Sequence, residues 1–174
     1  MRLATAERVA TRPHRSAVIA EIRLRQVIKM YEGLTELEGL CAGIAAGRMT
    51  ESERAEFEKL HREIGRLIEK GDRDAFPTLN KQFHDMIHRG AHNEILEDQI
   101  GGLNKRLAPY RRIFHDEPHD LGIPYAEHQN VVAAIQNRDE DLADQIFKNH
   151  TALRADRITD FIAAFDRRFQ KRSA

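Results

Sequence analysis

Tryptophan is absent, aromatic residues make up only 6% of the 174, and there is a single cysteine, Cys41. The shortage of aromatic side chains argues against a β-sandwich and for solvated helices. One cysteine excludes an internal disulfide, and its place in an apolar helical stripe marks it as a small core residue. No apolar run reaches the roughly 18 residues that a membrane-spanning helix needs. Arg2, Glu7, Arg8 and Arg12 interrupt the beginning of the chain before the apolar segment of a secretory signal can form, so a cytoplasmic protein with no membrane partner is expected. Net charge is lacking as well: 28 basic residues balance 28 acidic ones, which leaves no global electrostatic attraction to nucleic acid. Nor is there a compact metal motif of the HExxH kind.

What is present is helical patterning. Hydrophobic residues at 41% and charged residues at 32% describe amphipathic helices around one core, and the length suits one domain better than two. Residues 1–22 stand apart: two short extended runs, Arg8 to Arg12 and Ala17 to Ile22, flank the turn residues Pro13, His14, Arg15 and Ser16, predicting a β-hairpin that is marginal alone. From residue 23 to 174 the period is helical. Leu24, Val27, Ile28, Tyr31, Leu34, Leu37, Cys41 and Ile44 form the first stripe, ending near Gly47. Thr50 and Glu53 form a capping box for a second helix, which Gly71 closes. Asp72 or Asp74 opens a third, with Pro77 in its first turn, and Gly90 ends it. Asn93 caps a fourth that Pro109 should kink, a loop spans 115–124, a short helix follows over Glu127 to Ile135, and Asp139 caps the last. The expected fold is all-α, an antiparallel bundle of about six helices.

Three of those helices carry histidines beside their apolar stripes. Asn80 and His84 lie one turn apart on the third helix, next to Phe76, Leu79, Phe83 and Ile87. His128 opens the fifth, and His150 sits within the sixth. Four such side chains converging inside a bundle suit a borderline divalent ion, zinc or nickel, with positions left open for water or a carboxylate. Buried histidines more often satisfy hydrogen bonds than bind metal. His14, His61, His88, His92, His115 and His119 are expected on exposed faces or in loops.

Asn80 with Phe83-His84, then His92-Asn93, Glu127-His128, Ala134-Ile135, Asp139, Ala143 and His150 together resemble the FCD domain, the effector-binding part of FadR-type GntR transcription regulators. The likeness runs from about residue 24 to 155. It extends backward, since Arg2 to Ala20 resembles the end of the recognition helix and the wing of a winged helix-turn-helix, which would make residues 1–22 a remnant of that unit and 23–174 the effector-binding and dimerisation domain. The resemblance implies a sensor, not an enzyme: a homodimer that binds a small organic acid near a divalent metal and controls operator DNA through a winged helix largely missing from this chain. It implies His84, His128 and His150 as ligands, with Asn80 as the fourth. Arg106 and Arg112 on the fourth helix become candidates to clamp an effector carboxylate. An arginine common in the family just before the Leu37-Glu38 pair is absent, its place taken by Leu34, Thr35 and Glu36. Two other functions fit the same residues: a metal-dependent hydrolase, for which no general base is evident, and a metal-free helical dimerisation module.

Overall fold

The computed structural model describes residues 24–72, 74–115 and 122–170, and the expected hairpin over residues 1–22 lies outside them. Six helices follow one another: α1 (Leu24–Arg48), α2 (Glu51–Glu69), α3 (Phe76–Gly90), α4 (Glu94–His115), α5 (Gly122–Gln136) and α6 (Glu140–Gln170). The architecture is all-α, as the patterning predicts. α1 is the central element, packing on α3, α4, α5 and α6, while α2 covers α3 and α5.

Local chemistry sets the helix ends. Thr50 accepts a hydrogen bond from the Glu53 backbone while Glu53 reaches back to Thr50 N at 2.8 Å, completing the capping box. Asn93 Oδ1 accepts from Leu96 N, and Asp139 Oδ1 from Leu142 N, as N-caps do. Asp72 Oδ1 instead accepts from Ala75 N in the turn before α3. α5 begins five residues earlier than expected, at Gly122, because Pro124 falls in its first turn, where no backbone donor is needed. α4 continues through Pro109 to His115.

Two glycines expected to end helices lie at or next to the last residue of α3 and α1, as expected, and each also makes a close approach. Gly90 is the last residue of α3, but the chain turns at His92, whose φ is 46°, and Gly90 lies against the Met49 side chain. Gly47 lies inside α1 with Gly39 and Gly43, one turn apart each. A methyl group at Gly43 would come within 2.9 Å of the Glu140 carbonyl oxygen, and the same addition at Gly39 or Gly47 would strike Lys148 and Asp144, or Glu140. This bare stripe lets α6 lie directly on α1.

The core has two adjoining parts. One joins Ala42, Ala45, Phe57, Ile64, Phe83, Ile87, Val131, Ile135 and Phe147; the other joins Val27, Tyr31, Leu34, Cys41, Ile100 and Leu107. Cys41 is fully buried, and burial, with Glu38 and Glu97 nearby, pushes its thiol up to about 11. It is a packing residue, as its place in the stripe predicts.

Candidate metal centre and effector cavity

α3 presents His84 and His88 one turn apart beside Phe83 and Ile87, and all four are buried. His128 of α5 lies flat on Phe83, ring centroids 4.0 Å apart, and His150 of α6 stacks with Phe147. The aromatic pair forms a floor that steers the imidazoles of three helices together. Centroid separations are 5.6 Å for His84 and His128, 5.3 Å for His84 and His150, and 4.7 Å for His128 and His150. One ring nitrogen from each lies within 4.8 Å of the other two.

The carboxylates behind these rings determine which nitrogens face inward. His150 Nδ1 lies 2.8 Å from Glu127 Oε2, and Arg157 approaches the other oxygen of Glu127 at 3.4 Å. An ionised carboxylate only accepts, so His150 carries its proton on Nδ1 and turns the Nε2 lone pair inward. There it meets His84 Nε2 at 3.4 Å. Two nitrogens on adjacent corners of a tetrahedron around a zinc-sized ion, each about 2.1 Å from it, are separated by about 3.4 Å. His84 Nδ1 faces Glu38 Oε1 at 3.7 Å, and Glu38 is fixed by the Thr151 hydroxyl, which donates to Oε2 at 2.6 Å. A metal-binding histidine is usually oriented by a hydrogen bond from its outer nitrogen to a carboxylate; Glu127 stands at that distance from His150, while Glu38 faces His84 from farther away. The donor set and its supporting carboxylates therefore fit a borderline divalent ion.

Beside the histidines opens a cavity of about 620 Å³, walled by α3 through Asn80, Lys81, His84 and His88, by Glu38 of α1, and by Asn104, Lys105 and Arg111 of α4. Asn80 stands on this wall one turn before His84, half-buried, while His128 and His150 lie deeper. Arg111 is held in place: Nε donates to the Tyr31 hydroxyl at 3.2 Å, Nη2 to Asn104 Oδ1 at 2.8 Å, and the guanidinium sits 5.7 Å from the Tyr31 ring centre. Arg106 is exposed and is not among the residues lining the cavity, because it lies on the opposite side of α4 from Ala108 and Arg111. The side chain of Arg112 lies outside the described residues.

The family model that matches residues 29–153 is that of the FCD domain. The chain belongs to the FCD domain family. Among curated relatives, the HTH-type transcriptional regulator McbR of Escherichia coli (strain K12) is 22% identical over 143 residues, covering 81% of this chain and 65% of that protein. The HTH-type transcriptional repressor RspR of the same strain is 24% identical over 142 residues, covering 82% and 62%. A solved Streptococcus agalactiae GntR superposes with a TM-score of 0.64 at 19% identity, covering 79% of this chain and 61% of that one, which places the FCD chain in the same fold. The chain thus spans less than two thirds of the length of these relatives. By name the two curated relatives are transcriptional regulators, in agreement with the expectation of a binding role.

Two histidines depart from their expected exposure. His61 and His88 are buried, 5% and 4% exposed. His61 occupies the inward stripe of α2 between Phe57 and Ile64, stacking on Tyr125 with ring centres 4.4 Å apart and planes within 2°. Burial holds its pKa below the ordinary value, against the opposing pull of the Tyr125 carbonyl. His92 is exposed as expected and pairs with Glu53 at 2.9 Å. His14, His115 and His119 lie outside the side chains described. Sequence reasoning passed over Glu38, Glu127, His88 and Arg111. Glu38 falls four residues after Leu34 and three before Cys41, on the buried stripe, which was the one available signal for it.

Proposed function

We propose that this FCD chain is the ligand-sensing part of a GntR-type, FadR-like transcription regulator, acting in the cytoplasm as a homodimer. A small organic acid occupies the cavity between α3 and α4, beside a divalent ion, zinc or nickel, held by His84, His128 and His150 with Asn80 as the fourth donor. The ion, when bound, supplies open positions for a carboxylate oxygen. Arg111 supplies the opposing guanidinium, already oriented by Tyr31 and Asn104, so little side-chain freedom is lost on binding. Arg111 thereby takes the role first expected of Arg106 or Arg112, and compensates for the arginine missing ahead of Leu37. Acid binding favours one arrangement of α3, α4 and α1, and linkage passes that preference to operator affinity through the regulator's winged-helix unit.

The observation that carries this reading is the convergence of three buried imidazoles, one of which, His84, lines a cavity that a fixed arginine, Arg111, also lines. Metal content after dialysis against trace zinc or nickel tests it. The native chain is expected to retain about one ion, and His128→Ala and His150→Ala each to weaken its affinity at least tenfold, about 1.4 kcal/mol. Unchanged affinity in both variants would remove the metal from the proposal.

A further inference from the structure

The cavity wall carries a second group of metal-ligating side chains that shares only His84 with the ligands of the proposed centre. Glu38, His84 and His88 are all buried, one donor atom from each lies within 4.8 Å of the others, and all three line the cavity, which His128 and His150 do not. Glu38 Oε1 lies 3.5 Å from His88 Nε2 and 3.7 Å from His84 Nδ1. Those separations exceed a good hydrogen bond and match the roughly 3.4 Å edge of a tetrahedral ion's ligand shell. His88 Nε2, in a side chain only 5% exposed, makes no hydrogen bond among the described residues and is aimed at Glu38. The Thr151 hydroxyl holds Glu38 from behind through the opposite oxygen, leaving Oε1 toward the two rings.

We infer that Glu38, His84 and His88 form a second, outer seat for the same class of divalent cation, on the cavity wall, in competition with the inner seat of His84, His128 and His150. The inference extends the proposed function and turns on His84, which belongs to both groups. A neutral imidazole offers one lone pair. With the proton on Nδ1, facing Glu38, the ring serves the inner seat through Nε2. With the proton on Nε2, donated toward His150 Nε2 at 3.4 Å, it serves the outer seat through Nδ1. One ion therefore has two alternative positions, and the tautomer of His84 decides between them. The outer position lies directly against the cavity, so a cation there meets an incoming acid without passing the aromatic floor. A carboxylate and two imidazoles leave it open positions, and the carboxylate lowers the net charge that an anionic ligand would feel.

Cobalt(II) alone is the probe, titrated into the full chain and followed by d–d absorption and by equilibrium dialysis. Four proteins are compared: the native chain, His128→Gln, His88→Gln, and the double variant. Glutamine keeps each site filled without an imidazole, and thermal unfolding of each variant checks that it is folded; Glu38→Gln in the His128→Gln background repeats the comparison should His88→Gln be unfolded. The native chain is expected to bind one ion. His128→Gln should still bind one, at least tenfold more weakly and with a changed absorption spectrum, and the double variant should lose at least a further tenfold. If His128→Gln abolishes binding outright, or if His88→Gln removes nothing further, the outer seat is overturned and the inner one stands. If His88→Gln abolishes binding and His128→Gln leaves it intact, the outer seat stands and the inner one falls. A native chain that binds no cobalt overturns both.

Discussion

Arg111 is a cavity-facing cation whose two hydrogen bonds and ring contact all come from the protein, so its position does not wait for a ligand. A charge-assisted hydrogen bond contributes roughly 1.5–3 kcal/mol. Arg111→Ala should therefore weaken binding of a small carboxylic acid by at least tenfold, measured calorimetrically, while Arg106→Ala leaves it within twofold. Equal effects would place the acid elsewhere. His61 gives a pH prediction of a different kind. Its folded pKa is depressed mainly by burial, so below the ordinary value of about 6.5 the unfolded chain takes up a proton before the folded one does. Stability should be unaffected by His61 above that pH and should fall as the pH is lowered through the window between 6.5 and the depressed value. In paired urea unfolding at pH 7.5 and 5.5, His61→Phe should lose less stability on acidification than the native chain, and an unchanged loss would contradict the assignment. At this scale the sequence was only partly legible. His84, His128 and His150 could be placed beside apolar stripes and do come together, yet His61 and His88 are just as buried. The difference lies in reading spacing: His88 follows His84 by one turn and adjoins Ile87, and His61 lies between Phe57 and Ile64, so both were on inward faces. Glu127 adjoins His128 on α5, and helix neighbours point to different faces. Its side chain is long enough to reach His150 on another helix, which no local pattern records.

Helix by helix, patterning carried most of the architecture, because caps and stripes are local. Thr50 and Glu53, Asn93, and Asp139 act where their types and positions say they should. Thr50→Ala should cost about 1 kcal/mol in chemical denaturation, and no loss would mean that α2 starts independently of its box. The contact between α1 and α6 was not legible in this way. Gly47 alone reads as a helix end, and only the path of α6 explains why Gly39, Gly43 and Gly47 repeat at one-turn spacing inside α1. The nearest atom facing Gly43 is a backbone carbonyl oxygen, which cannot rotate away as the Glu140 side chain facing Gly47 can; Gly39 meets the Asp144 carbonyl oxygen at 2.9 Å as well as the Lys148 and Asp144 side chains. Gly43→Ala is thus expected to destabilise by about 1–3 kcal/mol, the usual range for overpacking, despite alanine's better helix propensity. A stabilised variant would contradict the close approach. Because Glu38 of α1 and Thr151 of α6 meet across this same contact, next to His150 in the chain, the substitution should also weaken metal binding.

For the whole molecule, α1 gathers the functional elements: α3, α5 and α6 bring the histidines against it and α4 closes the cavity from the other side. No described helix is long and apolar enough to cross a membrane. A bound ion ties three helices that are distant in sequence, so it should act on global stability. At a hundredfold excess over its dissociation constant a ligand adds about 2.7 kcal/mol, which for a chain of this size corresponds to a rise of roughly 5–10 °C in Tm. Zinc or nickel should produce such a rise in the native chain and a smaller one, about half or less, in His128→Ala at the same concentration. The hydrolase and dimerisation readings diverge from the sensor here, since neither requires an acid to bind with the metal's help. The most direct measurement is isothermal titration of short hydroxy- and dicarboxylic acids into the native chain, once loaded with zinc or nickel and once stripped by chelation. The account predicts saturable binding of at least one such acid to the loaded protein, weakened tenfold or more on stripping and restored when metal is returned. Equal binding with and without metal, or none in either state across the panel, would contradict it.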